Sequence, residues 1–178
     1  MSLEQELKGW QGKSVQDICD IHDRHVAEPS YGRQLADLLR NERLQRGASW
    51  LLKHHLSQQG RLDDLAVNVV FSSLPSLEHW ESRLHFLQCL EYMPIPARHA
   101  DELAAFLRTS MSSDRPFVRA WAISGFHQLA QQYPIFEPEE ESLFNEALKD
   151  GAGSVTARVR TILKKKDRNK NKNKDSGN

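Results

Sequence analysis

Apolar side chains recur along this chain at helical spacing, and the helical segments recur in turn about every 36 residues. From Ser14 onward Val15, Ile18, Cys19, His22 and Val26 share one face, the i, i+3, i+4, i+7 pattern of an amphipathic helix. Ser14 is placed to cap it, with Asp17 three residues on completing a weak capping box. Glu28 ends it, because a residue before proline is pushed out of the helical region. Leu35, Leu38 and Leu39 open the next stretch, and Leu44, Ala48, Leu51, Leu52 and His55 make a further stripe. Segment 31–59 reads as one helix or as two broken near Asn41, and the pitch favours two. Gln58-Gln59-Gly60 closes it with a glycine at the stop.

The same reading continues to the C-terminus. Leu62, Leu65, Ala66, Val69, Val70 and Ser73 form one face. After Pro75, Trp80, Leu84 and Leu87 lie beside Phe86, Leu90 and Met93, a breadth that suits a helix covered on two sides. Ala100, Leu103, Ala104, Leu107 and Met111 follow. Pro116 opens a helix at a first-turn position, where its missing N–H costs nothing, and Val118, Ala122, Gly125, Phe126 and Leu129 supply its stripe. Glu137 to Glu141 place acidic groups at the positive end of another helix dipole, with Leu143, Phe144, Ala147 and Leu148 behind them. Val155, Val159, Ile162 and Leu163 make the last face. Residues 1–13, polar around Trp10, read as a flexible N-terminal arm. Residues 166–178 hold nothing to bury and read as a disordered basic tail. The domain between them spans 14–165.

Aligned columns sharpen the repeat. Ala48, His85, Trp121 and Arg158 are spaced 37, 36 and 37 apart, and Leu52, Cys89, Gly125 and Ile162 keep the same pitch. Periods of this length point to stacked supersecondary units. The run Ser113-Asp114-Arg115-Pro116-Phe117-Val118-Arg119-Ala120-Trp121-Ala122 resembles a HEAT repeat, matching that family's Pro-x-Val-Arg-x-x-Ala helix start at Pro116, Val118, Arg119 and Ala122. Ser113 stands where Asp is usual. Asp150 to Val155 resembles the same turn, with Thr156 in place of the Arg and Val159 in place of the Ala. The earlier units match in pitch and apolar pattern. The resemblance covers about 31–165 and implies an all-α, right-handed α-α superhelix, a solenoid of about four helical hairpins with an extra N-terminal helix.

It also implies a concave binding face lined by second helices. The candidates there are Trp50, Trp121, Arg119, Arg158 and His85. Each has a structural alternative: the tryptophans as core or repeat-to-repeat contacts, and Arg119 as a bond to a neighbouring turn around Asp114 or Asp150.

Charge adds an asymmetry. The chain holds 24 basic and 24 acidic residues; residues 164–178 take seven and two of them, a net +5. That leaves 17 and 22 in residues 1–163, a net −5. The basic end suits nucleic acid through counterion release, or serves only solubility.

Chemistry is sparse. Cys19, His22 and His25 sit three apart on one helix, a spacing that falls short of a four-ligand zinc set. Cys19 and Cys89 read as buried hydrophobes in a reducing compartment. No triad, nucleophile elbow or phosphate loop is present. No apolar run approaches a membrane span, and the start Met1 to Leu7 lacks a secretory pattern. The expectation is a non-catalytic cytoplasmic adaptor without metal or cofactor, binding a protein or peptide and no membrane. The alternative is a nucleic-acid-binding protein related to the HEAT-like DNA glycosylases, using Trp50, Trp121, Arg119 and the tail 164–178.

Overall fold

The computed structural model describes the backbone of residues 1–175 and the side chains of residues 1–168. All regular structure among the described residues is helical: α1 (Leu3–Gly9), α2 (Val15–His25), α3 (Tyr31–Leu38), α4 (Gln45–Ser57), α5 (Asp64–Ser72), α6 (Trp80–Cys89), α7 (Ala100–Met111), α8 (Pro116–Gln132), α9 (Glu137–Ala147) and α10 (Gly153–Asp175). Residues 31–59 thus form two helices, parted at Leu39 to Leu44. Two compact units divide inside α7, between Phe106 and Leu107.

In the first unit the main helix pairings join elements one or two places apart along the chain: α1 with α2, α2 with α4, α3 with α4 and α5, α4 with α6. The core is built from Ile18, Tyr31, Leu35, Leu39, Leu51, Leu52, Phe71, Leu74, Leu77 and Phe86, all essentially inaccessible. Phe86 sits edge-on between Phe71 (5.6 Å) and Phe106 (5.5 Å), a favoured arrangement for ring quadrupoles. Each of these rings removes about 2 kcal/mol worth of apolar surface from water.

The expected arm at 1–13 is instead ordered in part. Ser2 Oγ accepts from Gln5 N and Gln5 Oε1 accepts from Ser2 N, a complete capping box for α1. Leu3 and Leu7 then share a face and are buried. α4 makes room for them: a Cβ at Gly47 would lie 2.8 Å from Leu7 Cδ2 and 3.2 Å from the Trp10 ring. The polar composition of the segment masked two well-spaced leucines.

Two other expectations shift by a fraction of a turn. On α2 the buried set is Ile18, Ile21, His22 and His25, while Val15 and Val26 are exposed; the stripe lies one position around from the one read through the valines. On α5, Val67 and Phe71 are buried and Leu65 is exposed. At the end of α4 the left-handed residue is Gln59 (φ 65°), not Gly60. Gly60 is required for another reason, since a Cβ there would fall 2.3 Å from the His55 ring.

In the second unit α8 is the hub, packing on α9 and α10. Ala120, Ile123, Phe144, Ala147, Val155, Val159 and Ile162 form its core. Pro116 occupies the first turn of α8 as expected. α10 continues past Lys166 to Asp175, so most of the segment expected to be disordered has a helical backbone. Lys166 explains the start of that continuation: its Nζ reaches the buried Glu140 carboxylate at 2.7 Å. Residues 176–178 of that segment lie outside the described residues.

Candidate functional site

In the first unit one set of polar side chains lies along α4 and α6. Ser49 Oγ is hydrogen-bonded to His85 Nδ1 at 3.0 Å, 36 residues away. Burial, then the nearby cations Lys53 and Arg46, drive the His85 imidazole down to about 3, so it is neutral at any physiological pH. Arg46 is ion-paired with Glu81 of α6. Trp50 stacks on His54 at 5.0 Å, with Lys53 Nζ 4.9 Å from the indole centroid. Of the five residues named from the sequence, Trp50 and His85 fall here. Trp50 is half-buried and joins a cation and a ring on its own helix, whereas His85 serves the helix–helix contact.

Behind Trp50 lies a cluster that sequence reasoning missed. His54 stands edge-on to His22 at 4.8 Å; His22 and Tyr31 each approach His55, at 5.9 and 5.2 Å. The Tyr31 hydroxyl is hydrogen-bonded to His22 Nδ1 at 3.0 Å. Burial lowers all three imidazoles below the usual histidine range, and the mutual proximity of the rings lowers His22 further. Burial also pushes the Tyr31 phenol up. The adjacent pair His54-His55 and the helical offset of His22 were visible in the sequence, but no spacing rule places α2 on α4.

His25 is buried between two carboxylates. Its Nδ1 is 2.6 Å from Glu28 Oε1 and its Nε2 is 3.0 Å from Glu6 Oε1. Glu6 also takes Arg24, whose guanidinium holds the Glu6 carboxyl below its ordinary value. Among the described residues no group of three or more His, Cys, Asp and Glu is arranged to hold a metal ion. A surface cleft of about 560 Å³ separates α1 from α2, lined by Glu6, Trp10, Lys13, Asp17, Asp20 and Arg24.

The second unit holds the other three named residues. Arg119 makes a two-pronged bond to Asp150, Nε to Oδ2 and Nη2 to Oδ1, both 2.9 Å, while Nη1 donates to the Ser113 carbonyl at 2.8 Å. Of the two turns considered, Asp150 supplies the partner. Asp150 also accepts from Ala152 N at 2.8 Å, and its carboxyl is held low by Arg119 first and by that backbone N–H second. The guanidinium carbon of Arg158 lies 3.8 Å from the Trp121 centroid. Arg119 and Arg158 therefore tie helices and turns together. A cavity of about 240 Å³ adjoins them, lined by Met111, Arg119, Ile123, Leu143, Ala147 and Asp150.

Deeper in the same unit Glu140 is 2% exposed, paired with His127 on one oxygen and Lys166 on the other. Burial raises its carboxyl, and the hydrogen bonds from His127 and Lys166 more than reverse that, leaving it below its ordinary value. No helix among the described residues is long and apolar enough to cross a membrane. Comparison with known proteins returned no match: no family model, no curated protein and no solved structure is significantly similar to the chain.

Proposed function

We propose that the chain is a non-catalytic scaffold of HEAT-like hairpins, stacked in superhelical fashion within each unit, that holds a protein or peptide against its second helices. One observation carries the reading. In each unit a contact joins residues one repeat apart: Ser49 to His85 across α4 and α6, and Trp121 to Arg158 across α8 and α10. Side chains in equivalent columns meet when helical hairpins stack in register. The resemblance around Pro116 to Ala122 supports the same view, as does the step-by-step packing of helices within each unit.

Half-buried at the edge of this arrangement in the first unit are Trp50 and Lys53, an amphipathic ring beside a cation, which is the composition of an interface anchor. Affinity purification from extract of the source cells tests the reading, comparing the wild-type chain with Trp50→Ala/Lys53→Ala. The expected result is a specific set of proteins that the wild type retains and the folded double variant loses. Identical captured sets would refute Trp50 and Lys53 as the binding edge.

A further inference from the structure

We propose that α10 is a phosphate-backbone-binding helix, and that the chain carries nucleic acid on it independently of any protein partner. The first ground is where positive charge is left uncompensated. Arg24, Arg33, Arg46, Arg108 and Arg119 are each ion-paired with a carboxylate, and Lys8 and Lys166 likewise. Arg160, Lys164, Lys165 and Arg168 are exposed, as are Arg40, Arg43, Arg61 and Lys149 elsewhere, but only the first four are gathered on one helix. Among the described residues, none of the ion pairs involves them.

The second ground is their placement. At 3.6 residues per turn, Arg160, Lys164 and Arg168 form a row stepping about 6 Å along the helix. Lys165 flanks this row on one side and Asp167 on the other. The row lies opposite the stripe Val155, Val159, Ile162 and Lys166, which faces α8 and α9. Packing thus turns the cations outward. Lys166, pinned to Glu140, fixes the rotation of the helix where the row is densest. The helical backbone runs on to Asp175 through a sequence that adds Lys170, Lys172 and Lys174.

Composition selects the partner. After Leu163 the chain has no apolar or aromatic residue, so this helix has nothing to bury in a bilayer and no anchor for a protein hot spot. Evenly spaced cations with interleaved asparagines suit a repeating phosphate backbone, where neutralising charges release counterions and binding needs no base contact. Residues 1–152, ahead of α10, hold 15 basic and 22 acidic residues, a net −7, which disfavours a polyanion on average elsewhere and favours this helix as its approach.

Fluorescence anisotropy of the full chain with a labelled 24-base-pair DNA duplex and a labelled single-stranded RNA tests this, across a salt series from 20 to 200 mM. Binding to at least one probe is expected, with a log–log salt slope of roughly −3 or steeper, as four or more neutralised phosphates require. Arg160→Gln/Lys164→Gln/Lys165→Gln/Arg168→Gln should weaken binding at least about tenfold at low salt and flatten the slope, with an unchanged thermal midpoint. No binding to either probe at 20 mM salt overturns the proposal. So does unchanged affinity in the variant, or tighter binding to phosphatidylserine vesicles than to either nucleic acid.

Discussion

The Arg158 guanidinium covers the indole of Trp121, which precedes it by 37 residues, with 3.8 Å between the guanidinium carbon and the ring centroid. An Arg in that position is attracted by the ring quadrupole and, half-buried, contributes about 0.5–2 kcal/mol. Because the pair lies between α8 and α10, that energy goes to the helix–helix contact. A double-mutant cycle with Trp121→Leu and Arg158→Met, read by urea unfolding, should show a coupling of about 1 kcal/mol. Strict additivity would mean that the two side chains do not act on each other.

Arg119 and Asp150 give a second coupled pair. Asp150→Ala removes both prongs of the Arg119 bond and the acceptor of Ala152 N at the start of α10. Arg119→Ala removes the same two prongs and the Nη1 bond to the Ser113 carbonyl, and leaves the acceptor of Ala152 N in place. Both groups are about one-fifth exposed, so solvent screening tempers the ion pair. Asp150→Ala is expected to cost about 2 kcal/mol and Arg119→Ala about 1, measured by chemical denaturation. Equal losses would mean that the bond Asp150 accepts from Ala152 N adds no more than the one Arg119 gives Ser113.

The histidines of the first unit set its acid sensitivity. His22, His54, His55 and His85 are all held below the ordinary imidazole value of 6.5, burial being the main cause. The unfolded chain therefore takes up protons at 6.5 while the fold does not. Stability is fully present above that pH and declines as pH falls through it, for His85 continuing to about 3. The carboxylates Glu6, Asp150 and Glu140 are lowered, so their contributions decline only below about 4 to 4.5. The thermal midpoint should already drop between pH 6.5 and 5, and His85→Gln should blunt that drop. A midpoint flat to pH 5 would contradict neutral burial of these rings.

The turn after α4 yields substitutions of opposite sign. Gln59 adopts φ 65°, which costs a side-chain-bearing residue about 1 kcal/mol that glycine avoids. Gln59→Gly should raise stability by about 0.5–1 kcal/mol. Gly60→Ala puts a methyl group into the His55 ring and should lower it by about 1–3 kcal/mol. Differential scanning calorimetry of the two variants distinguishes them. A stabilising Gly60→Ala would show that the ring has room to move.

Helix types and most boundaries were legible because they rest on local chemistry. Ser14 caps α2, and Pro116 starts α8. Buried faces were read less well at helix ends, where Val15, Val26 and Leu65 are apolar yet exposed, because periodicity cannot tell which of two adjacent stripes meets a neighbour. Of the residues named for a binding face, Arg119 bonds Asp150, one of the two turns its structural alternative named, while the contacts of Arg158 with Trp121 and of His85 with Ser49 depend on helix pairing that local periodicity does not fix. The His22, His54, His55 cluster depends on α2 meeting α4, a relation between residues about 30 apart that no local spacing encodes. The buried Glu140 was hidden within an acidic helix start that reads as solvated charge.

Stacking at one repeat is the relation on which the account stands, and nuclear Overhauser contacts report it most directly. In isotope-labelled protein, cross-peaks are expected between the Trp121 indole protons and the Arg158 side chain, and between Ser49 Hβ and the His85 ring. A folded, well-dispersed spectrum showing contacts within α4, α6, α8 and α10 but neither of these two would contradict it.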